Sequence, residues 1–360
     1  MQFSATEKVY IWLDFFDLEE TERRNLLRLA DSPVKLVKNF AAYQSYFKER
    51  AKEPVFEEMY ASLCDNGMFF TKRITALEKE NIQPIAICSD KYPEEWKSLS
   101  DAPLVVYAKG NIELLRNQKF VIVGSRRTPV GALKIGAELA KDISKTFTII
   151  TGTADGGDSA AIEGALLGGG NVICLLAGGF GSLPQGNLTL LNKVAEKGLL
   201  LSPHSYATSV RTYSYEYRNK LLAALGNGVL VLGAAEKSGA LITAKYAQGF
   251  QKPIFALPYF PGVAAGAGNN ALLKNGAKLT ETALDVLETF GVDILKEKPQ
   301  VELTKDERAV VEALRDLSES HISALSAKTG VPTFKLMAVL SALEIKGMVV
   351  KLGGNRYAPV

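Results

Sequence analysis

Six short apolar runs, each the length of a buried strand and most set apart by a helix-length segment, constrain this chain more than any other feature. They are Phe120-Val121-Ile122-Val123, Thr148-Ile149-Ile150-Thr151, residues 172–176, Leu199-Leu200-Leu201, Val229-Leu230-Val231-Leu232 and Ile254-Phe255-Ala256-Leu257. A strand that is apolar at consecutive positions has both faces covered, whereas one with a wet face alternates. With segments such as 131–144, 159–167 and 240–250 between them, the runs predict an α/β domain built on an extended Rossmann-like, doubly wound parallel sheet. Sheets of this kind bind ligands outside the carboxyl ends of their strands, so functional residues are expected just after each run.

Glycine-bearing turns occupy those positions. Gly124-Ser125-Arg126 follows the first run and leads through Pro129 and Gly131 into a helix. Glycine there lets the backbone approach an anion, the helix N-terminus offers free amides, and Arg126 adds a fork suited to phosphate; a glycine needed for packing alone is the plainer alternative. Thr151-Gly152-Thr153-Ala154-Asp155-Gly156-Gly157-Asp158 repeats the arrangement, with Asp158 placed to cap a helix from Ser159. Gly178-Gly179-Phe180-Gly181-Ser182 and Lys237-Ser238-Gly239-Ala240-Leu241-Ile242-Thr243 follow later strands. Several such turns on one edge make a long polar groove, which suits an extended polyanion held by its phosphates. Tyr213, Tyr215, Tyr217 and Phe180 either stack on bases in it or belong to the core.

A net charge of +3 argues by itself for no partner, but its distribution does. Seven Lys/Arg lie between 116 and 145 against Glu138 and Asp142, and six between 211 and 252 against Glu216 and Glu236. Both stretches hold the glycine turns. Cys64, Cys88 and Cys174, odd in number and widely spaced, are expected to be reduced thiols. His204 and His321 are the only histidines, so neither a metal nor a cofactor is expected. No apolar run reaches the ~18 residues of a membrane span, and the N-terminus lacks a basic segment before an apolar one. A cytoplasmic protein with no membrane partner is expected.

Smaller units flank the sheet domain, which is expected over 76–295. Residues 1–75 carry helix-period patterns broken at Asp31-Ser32-Pro33 and Glu53-Pro54, a helical (SAM-like) module. Lys296 to Gln300 reads as a linker, and 303–360 as a separate domain. There Thr304-Lys305-Asp306-Glu307 is a capping box for a helix to about Leu317, Ser320 caps a second, and Pro332 starts a third closed by Gly347. A hairpin over 348–358, turning at Gly353-Gly354-Asn355, completes a winged helix. Its third helix either enters a DNA groove or contacts a protein.

Taken together and in order, several segments resemble the DprA/Smf family. They are Tyr92-Pro93, Asp101-Ala102-Pro103 with Tyr107-Ala108-Lys109-Gly110, Val123-Gly124-Ser125-Arg126, Thr151-Gly152 with Ala154 and Gly156, Arg218-Asn219-Lys220, residues 237–244, and Gly268-Asn269-Asn270 with Gly276-Ala277. The resemblance implies a homodimer that binds single-stranded DNA without catalysis, protects incoming strands and helps load the RecA recombinase in natural transformation. It implies DNA contacts at Arg126, Lys220 and Lys237, a backbone cradle at Gly124, Ser125, Ser238 and Gly239, and supporting positions at Gly152, Gly156 and Thr243. Arg218 and Asn219 either touch DNA or brace the sheet. Asp155, Gly157, Ile162, Pro203, Gly233 and Gln251-Lys252 depart from the family pattern, Asp155 replacing a cation with an anion, so this is a divergent member.

Two other classes fit parts of the chain. Residues 177–185 resemble the glycine motif of phosphoribohydrolases, but their terminal carboxylate is Gln185 here, which cannot act as a general base. A DprA-derived adaptor that has lost its DNA groove is favoured by Asp155 and Pro203 and opposed by Arg126, Lys220 and Lys237.

Overall fold

A computed structural model describes residues 1–292, 303–317, 319–346 and 348–359. The expected linker at Lys296 to Gln300, the end of the sheet domain at 293–295 and the closing Gly347 lie outside the described residues. The chain forms two compact units, divided after Val292.

The first unit opens with α1 (Ala5–Asp14), α2 (Glu20–Leu29), α3 (Pro33–Lys38), α4 (Gln44–Lys48), α5 (Glu53–Cys64) and α6 (Met68–Lys79). Ser4 and Glu7 form the capping box that starts α1. Next come β1 (Gln83–Ala86), α7 (Glu94–Lys97), β2 (Val105–Gly110), β3 (Lys119–Val123), α8 (Val130–Ile143), β4 (Thr148–Thr151), α9 (Gly157–Leu167) and β5 (Val172–Leu175). The series ends with α10 (Leu188–Lys197), β6 (Leu199–Ser202), α11 (Thr212–Leu225), β7 (Val229–Val231), α12 (Gly239–Gly249), β8 (Ile254–Ala256), α13 (Ala267–Lys274), β9 (Lys278–Leu279) and α14 (Ala283–Leu287).

All six apolar runs are strands, in the sheet order β1-β2-β6-β5-β4-β3-β7-β8-β9. From β6 to β9 every pairing is parallel; β1 and β2 form an antiparallel pair that joins β6 antiparallel. The sheet is therefore mixed at this edge, because β1 and β2 follow one another without a covering helix of crossover length. Alternate residues serve opposite cores: Phe120 and Ile122 pack with α8, α9 and α10 residues, Val121 and Val123 with α11 and α12 residues. The chain winds from β3 outward to β6, then returns through α11 to β7 on the other side of β3. The winding thus reverses between β3 and β7, where the carboxyl ends open a crevice.

The N-terminal helices have their own aromatic core around Trp12, Phe40, Phe47 and Phe56. They also share the sheet's core through Ile11, Ile74 and Leu77. Polar contacts fix this seam. Asp14 is buried and accepts hydrogen bonds from Tyr107 OH at 2.5 Å and Arg23 Nη1 at 2.6 Å. Burial pushes the Asp14 carboxyl above its ordinary range, and the Arg23 charge opposes that rise.

His204, just past β6, places its ring 6.1 Å from that of Tyr217, and its Nε2 is buried without a hydrogen-bond partner among the described residues. Burial, with the Arg23 charge adding to it, pushes the imidazole pKa down to about 4. The unfolded chain therefore binds a proton near pH 6.5 that the folded chain refuses until about pH 4, and stability is lost as pH falls through that window. The full loss is about 3 kcal/mol. Denaturant unfolding at pH 7 and pH 4.5 is expected to show a larger acid loss in the natural chain than in His204→Phe; equal losses would assign the titration elsewhere.

The second unit comprises α15 (Lys305–Leu317), β10 (Ser320–His321), α16 (Ile322–Thr329), α17 (Thr333–Ile345), β11 (Val349–Leu352) and β12 (Arg356–Pro359). The Thr304/Glu307 box opens α15 as the sequence predicts. The cap of α16 differs: His321 Nδ1 accepts from Ser323 N–H at 3.3 Å, while Ser320 is buried and donates to His321 O at 3.4 Å. On α17, Lys335 pairs with Asp306 at 2.5 Å and Phe334 and Met337 are exposed, while Lys346, its C-cap, pairs with Glu307 at 2.8 Å.

Candidate nucleic-acid interface

At the reversal point lies a cavity of about 320 Å³, lined by residues 123–127 after β3, Ala154 and Asp158 after β4, and residues 238–240 with Thr243 after β7. Its remaining wall is α11, through Tyr215, Arg218, Asn219 and Leu222. A neighbouring cavity of about 140 Å³, running along residues 176–184, shares Arg126, Ala154 and Tyr215 with it. These three residues therefore stand between the two cavities.

Tight backbone contact builds the crevice. The turns after β3 and β4 touch at glycines: a Cβ on Gly157 would strike the Gly124 backbone, and one on Gly156 would strike Ser125 O and the Arg126 backbone. Gly156 also has φ +85°, a region L side chains avoid. Ser125 is tied by its N–H to Gly233 O at 2.8 Å, by its carbonyl to Thr128 Oγ1 at 2.8 Å and by its hydroxyl to Arg127 N–H at 3.1 Å. Asn219 Nδ2 donates to Gly239 O at 3.0 Å, linking α11 to the start of α12. Ser238 is the N-cap of α12, its hydroxyl accepting from Ala240 N–H.

Arg218 and Asp158 lie beneath this surface, both buried, with Gly152 between them; a Gly152 side chain would run into each. Arg218 Nη1 donates to Leu175 O at 3.2 Å, while its Nε and the hydroxyl of Thr243 have no partner among the described residues. Asp158 accepts from Gly124 N–H at 3.4 Å and Ala154 N–H at 3.2 Å. Burial pushes its carboxyl up, and the Arg218 charge opposes the rise. Burial likewise lowers the Arg218 guanidinium, against the Asp158 charge. Asp158 is thus no helix cap: α9 begins at Gly157, and the carboxylate binds the turns of two strands together.

The structure brings Gly124, Ser125, Arg126, Gly152, Gly156, Arg218, Asn219, Ser238, Gly239 and Thr243 to this crevice. Arg126 is exposed there, and Lys237 is exposed beside Ser238. Lys220 is placed differently. Two residues beyond Arg218 is more than half a helical turn, and its Nζ lies on the Asp101 carboxylate at 2.6 and 2.8 Å. Of the aromatics, Phe180 is buried, Tyr217 donates to Asp101 O, Tyr213 is exposed, and Tyr215 lines both cavities. Arg127, exposed in the cavity wall, was not singled out by the sequence, although its place in a basic dipeptide after a strand was a signal for it.

Among the described residues, no three His, Cys, Asp or Glu side chains cluster so as to hold a metal ion. Nor is any helix among them long and apolar enough to cross a membrane. The crevice offers exposed cations and helix N-termini, the chemistry of a phosphate site.

Residues 83–291 match the family of DNA recombination-mediator protein A, and residues 295–355 match the DprA winged helix domain. DNA processing protein DprA of Bacillus subtilis is 34% identical over 218 residues, covering 60% of this chain and 73% of that protein. Its Streptococcus pneumoniae counterpart is 30% identical over 237 residues, covering 66% and 82%. The X-ray structure of the pneumococcal protein aligns with a TM-score of 0.64 at 26% identity, over 80% of this chain and 98% of that one. A structure of DNA processing protein A from Helicobacter pylori, described for its single-stranded DNA binding mode, aligns with a TM-score of 0.53 at 28% identity, over 59% and 96%. With the family matched across more than half its length on the doubly wound sheet, and its winged helix following, this chain belongs to the DNA recombination-mediator protein A (DprA/Smf) family.

Proposed function

We propose that this protein binds single-stranded DNA by its phosphate backbone along the groove at the carboxyl ends of β3, β4 and β7, without catalysing a reaction on it. One observation carries the reading: exposed Arg126 and Arg127 line a cavity at which the N-termini of α9 and α12 begin. Arg126 and Lys237 supply the charge. Gly124, Ser125, Ser238 and Gly239 supply the backbone cradle, and Tyr215 a ring on which a base can stack. Family membership and the DNA binding described for the Helicobacter relative support it.

Protection of incoming strands and delivery to the RecA recombinase, by a cytoplasmic homodimer, follow as the wider role. The short edge strand β9, with Leu279 and the nearby Leu284 exposed, supports pairing of two copies. In the winged helix, Lys335 of α17 and Lys346 just past its end are engaged by α15 carboxylates and Phe334 and Met337 of α17 are exposed, which supports protein contact over phosphate contact. An enzyme reading lacks its base, since Gln185 has no titratable group.

Labelled oligothymidine titrated against the natural chain and Arg126→Ala/Lys237→Ala over a salt series tests the proposal. Salt-sensitive binding is expected, and the variant should lose both affinity and roughly 0.7 of slope per phosphate contact removed. Absence of binding by the natural chain at low salt would leave the adaptor reading in its place.

A further inference from the structure

Every residue from 101 to 104 has a main-chain polar group held by a side chain. Tyr217 OH donates to Asp101 O at 2.7 Å, Arg24 Nη2 donates to Ala102 O, and Tyr92 OH donates to Pro103 O at 2.7 Å. Leu104 N–H donates to Glu20 Oε1 at 3.2 Å, and Glu20 pairs with Arg24 Nε at 3.1 Å. Lys220 holds both oxygens of the Asp101 carboxylate. The strap is thus gripped from two directions, by Glu20 and Arg24 of α2 in the N-terminal module and by Tyr217 and Lys220 of α11.

Helix α11 has two working faces. Tyr217, Lys220 and Leu221, whose carbonyl accepts from Trp96 Nε1 at 2.9 Å, face the strap and α7. Tyr215, Arg218, Asn219 and Leu222, spaced i, i+3, i+4, i+7, face the cavity. A shift or rotation of α11 on its strap face therefore moves its cavity face by a similar amount.

We infer that the N-terminal module sets the geometry of the DNA groove through the 101–104 strap, with Glu20, Arg24, Asp101, Tyr217 and Lys220 as positioning residues that never touch DNA. The inference rests on the DNA-binding reading above. It gives Lys220 a role opposite in sign to that of a phosphate ligand. If Lys220 bound phosphate, Asp101 would compete with DNA for it, and neutralising Asp101 would tighten binding. As a positioning pair, the same change loosens α11 and weakens binding.

The test uses the full chain with Asp101→Asn, Tyr217→Phe, Lys220→Met and Glu20→Gln/Arg24→Gln, titrated with labelled oligothymidine over a salt series. Amide hydrogen exchange of residues 212–225 is followed in parallel. Each variant is expected to bind roughly tenfold more weakly, the scale of one charge-assisted hydrogen bond, with the natural salt slope and faster exchange in α11. Tyr217→Phe removes a single hydroxyl and carries the same expectation should the charge variants fold poorly. Tighter binding by Asp101→Asn, or a slope shallower by roughly 0.7 in Lys220→Met, would overturn the inference by making Lys220 a phosphate ligand. Variants that bind as the natural chain does would overturn it too. Failure of the natural chain to bind would instead sink the DNA reading, and unchanged α11 exchange in the variants would then refute the coupling by itself.

Discussion

Gly157→Ala is expected to destabilise the first unit by roughly 3–5 kcal/mol, the scale of a severe packing conflict. The added methyl meets the Gly124 main chain, which has no rotamer through which to yield. Relief requires the turns after β3 and β4 to part, but Gly157 N–H donates to Ser125 O, Gly124 N–H donates to Asp158, and Ser125 N–H is held by Gly233 O, so the movement is resisted. A drop in melting temperature of about 10 °C corresponds to that loss in a unit of this size. Gly239→Ala is the control. Its Cβ would find nothing nearer than Asn219 Nδ2 at 4.0 Å, so its melting temperature should hold or rise slightly. Equal melting temperatures for Gly157→Ala and the natural chain would show that the two turns are not in the contact described.

Arg218→Met is expected to cost about 3–5 kcal/mol at neutral pH, the loss that follows when one of two interacting buried charges is removed. Asp158 would remain buried, with the Gly124 and Ala154 amides but without the cation that opposes its desolvation. Its folded pKa would then move further above the ordinary 3.8. A carboxyl raised in the folded state destabilises most above that folded pKa, so the deficit should shrink as pH falls towards the unfolded value. Unfolding midpoints for the natural chain, Arg218→Met and Arg218→Met/Asp158→Asn at pH 7 and pH 4.5 check this. The double variant should recover part of the loss at pH 7. A deficit independent of pH would mean that the carboxylate is not the group left exposed to burial.

Much of this arrangement is local enough to read from the chain. Continuous apolar runs identify strands because burial on both faces leaves no position for a polar residue, and glycine turns mark the carboxyl edge because strand-to-helix turns there approach one another. Three matters depended on contacts that sequence spacing does not carry. Arg218-Asn219-Lys220 look equivalent as three consecutive polar residues, yet the helix turns 218 and 219 into the cavity and 220 towards Asp101, a partner in a distant segment. Asp158 has the spacing of a cap, but its oxygens accept from the turn before its helix and from the turn of the neighbouring strand rather than from the helix's own amides. The antiparallel join of β2 to β6 brings together strands far apart in the chain, and neither strand's composition records its neighbour.

The groove's walls come from the ends of β3, β4 and β7, with α11 between, and this has a bearing on synthesis. When the ribosome has released the chain only as far as β6, the Arg126 turn is already outside while the Ser238 turn and the Thr243 helix do not yet exist. Nascent protein therefore passes through a stage in which it carries the basic turn without the opposing wall. The groove is thus completed late, when β7 inserts beside β3 and α12 follows it.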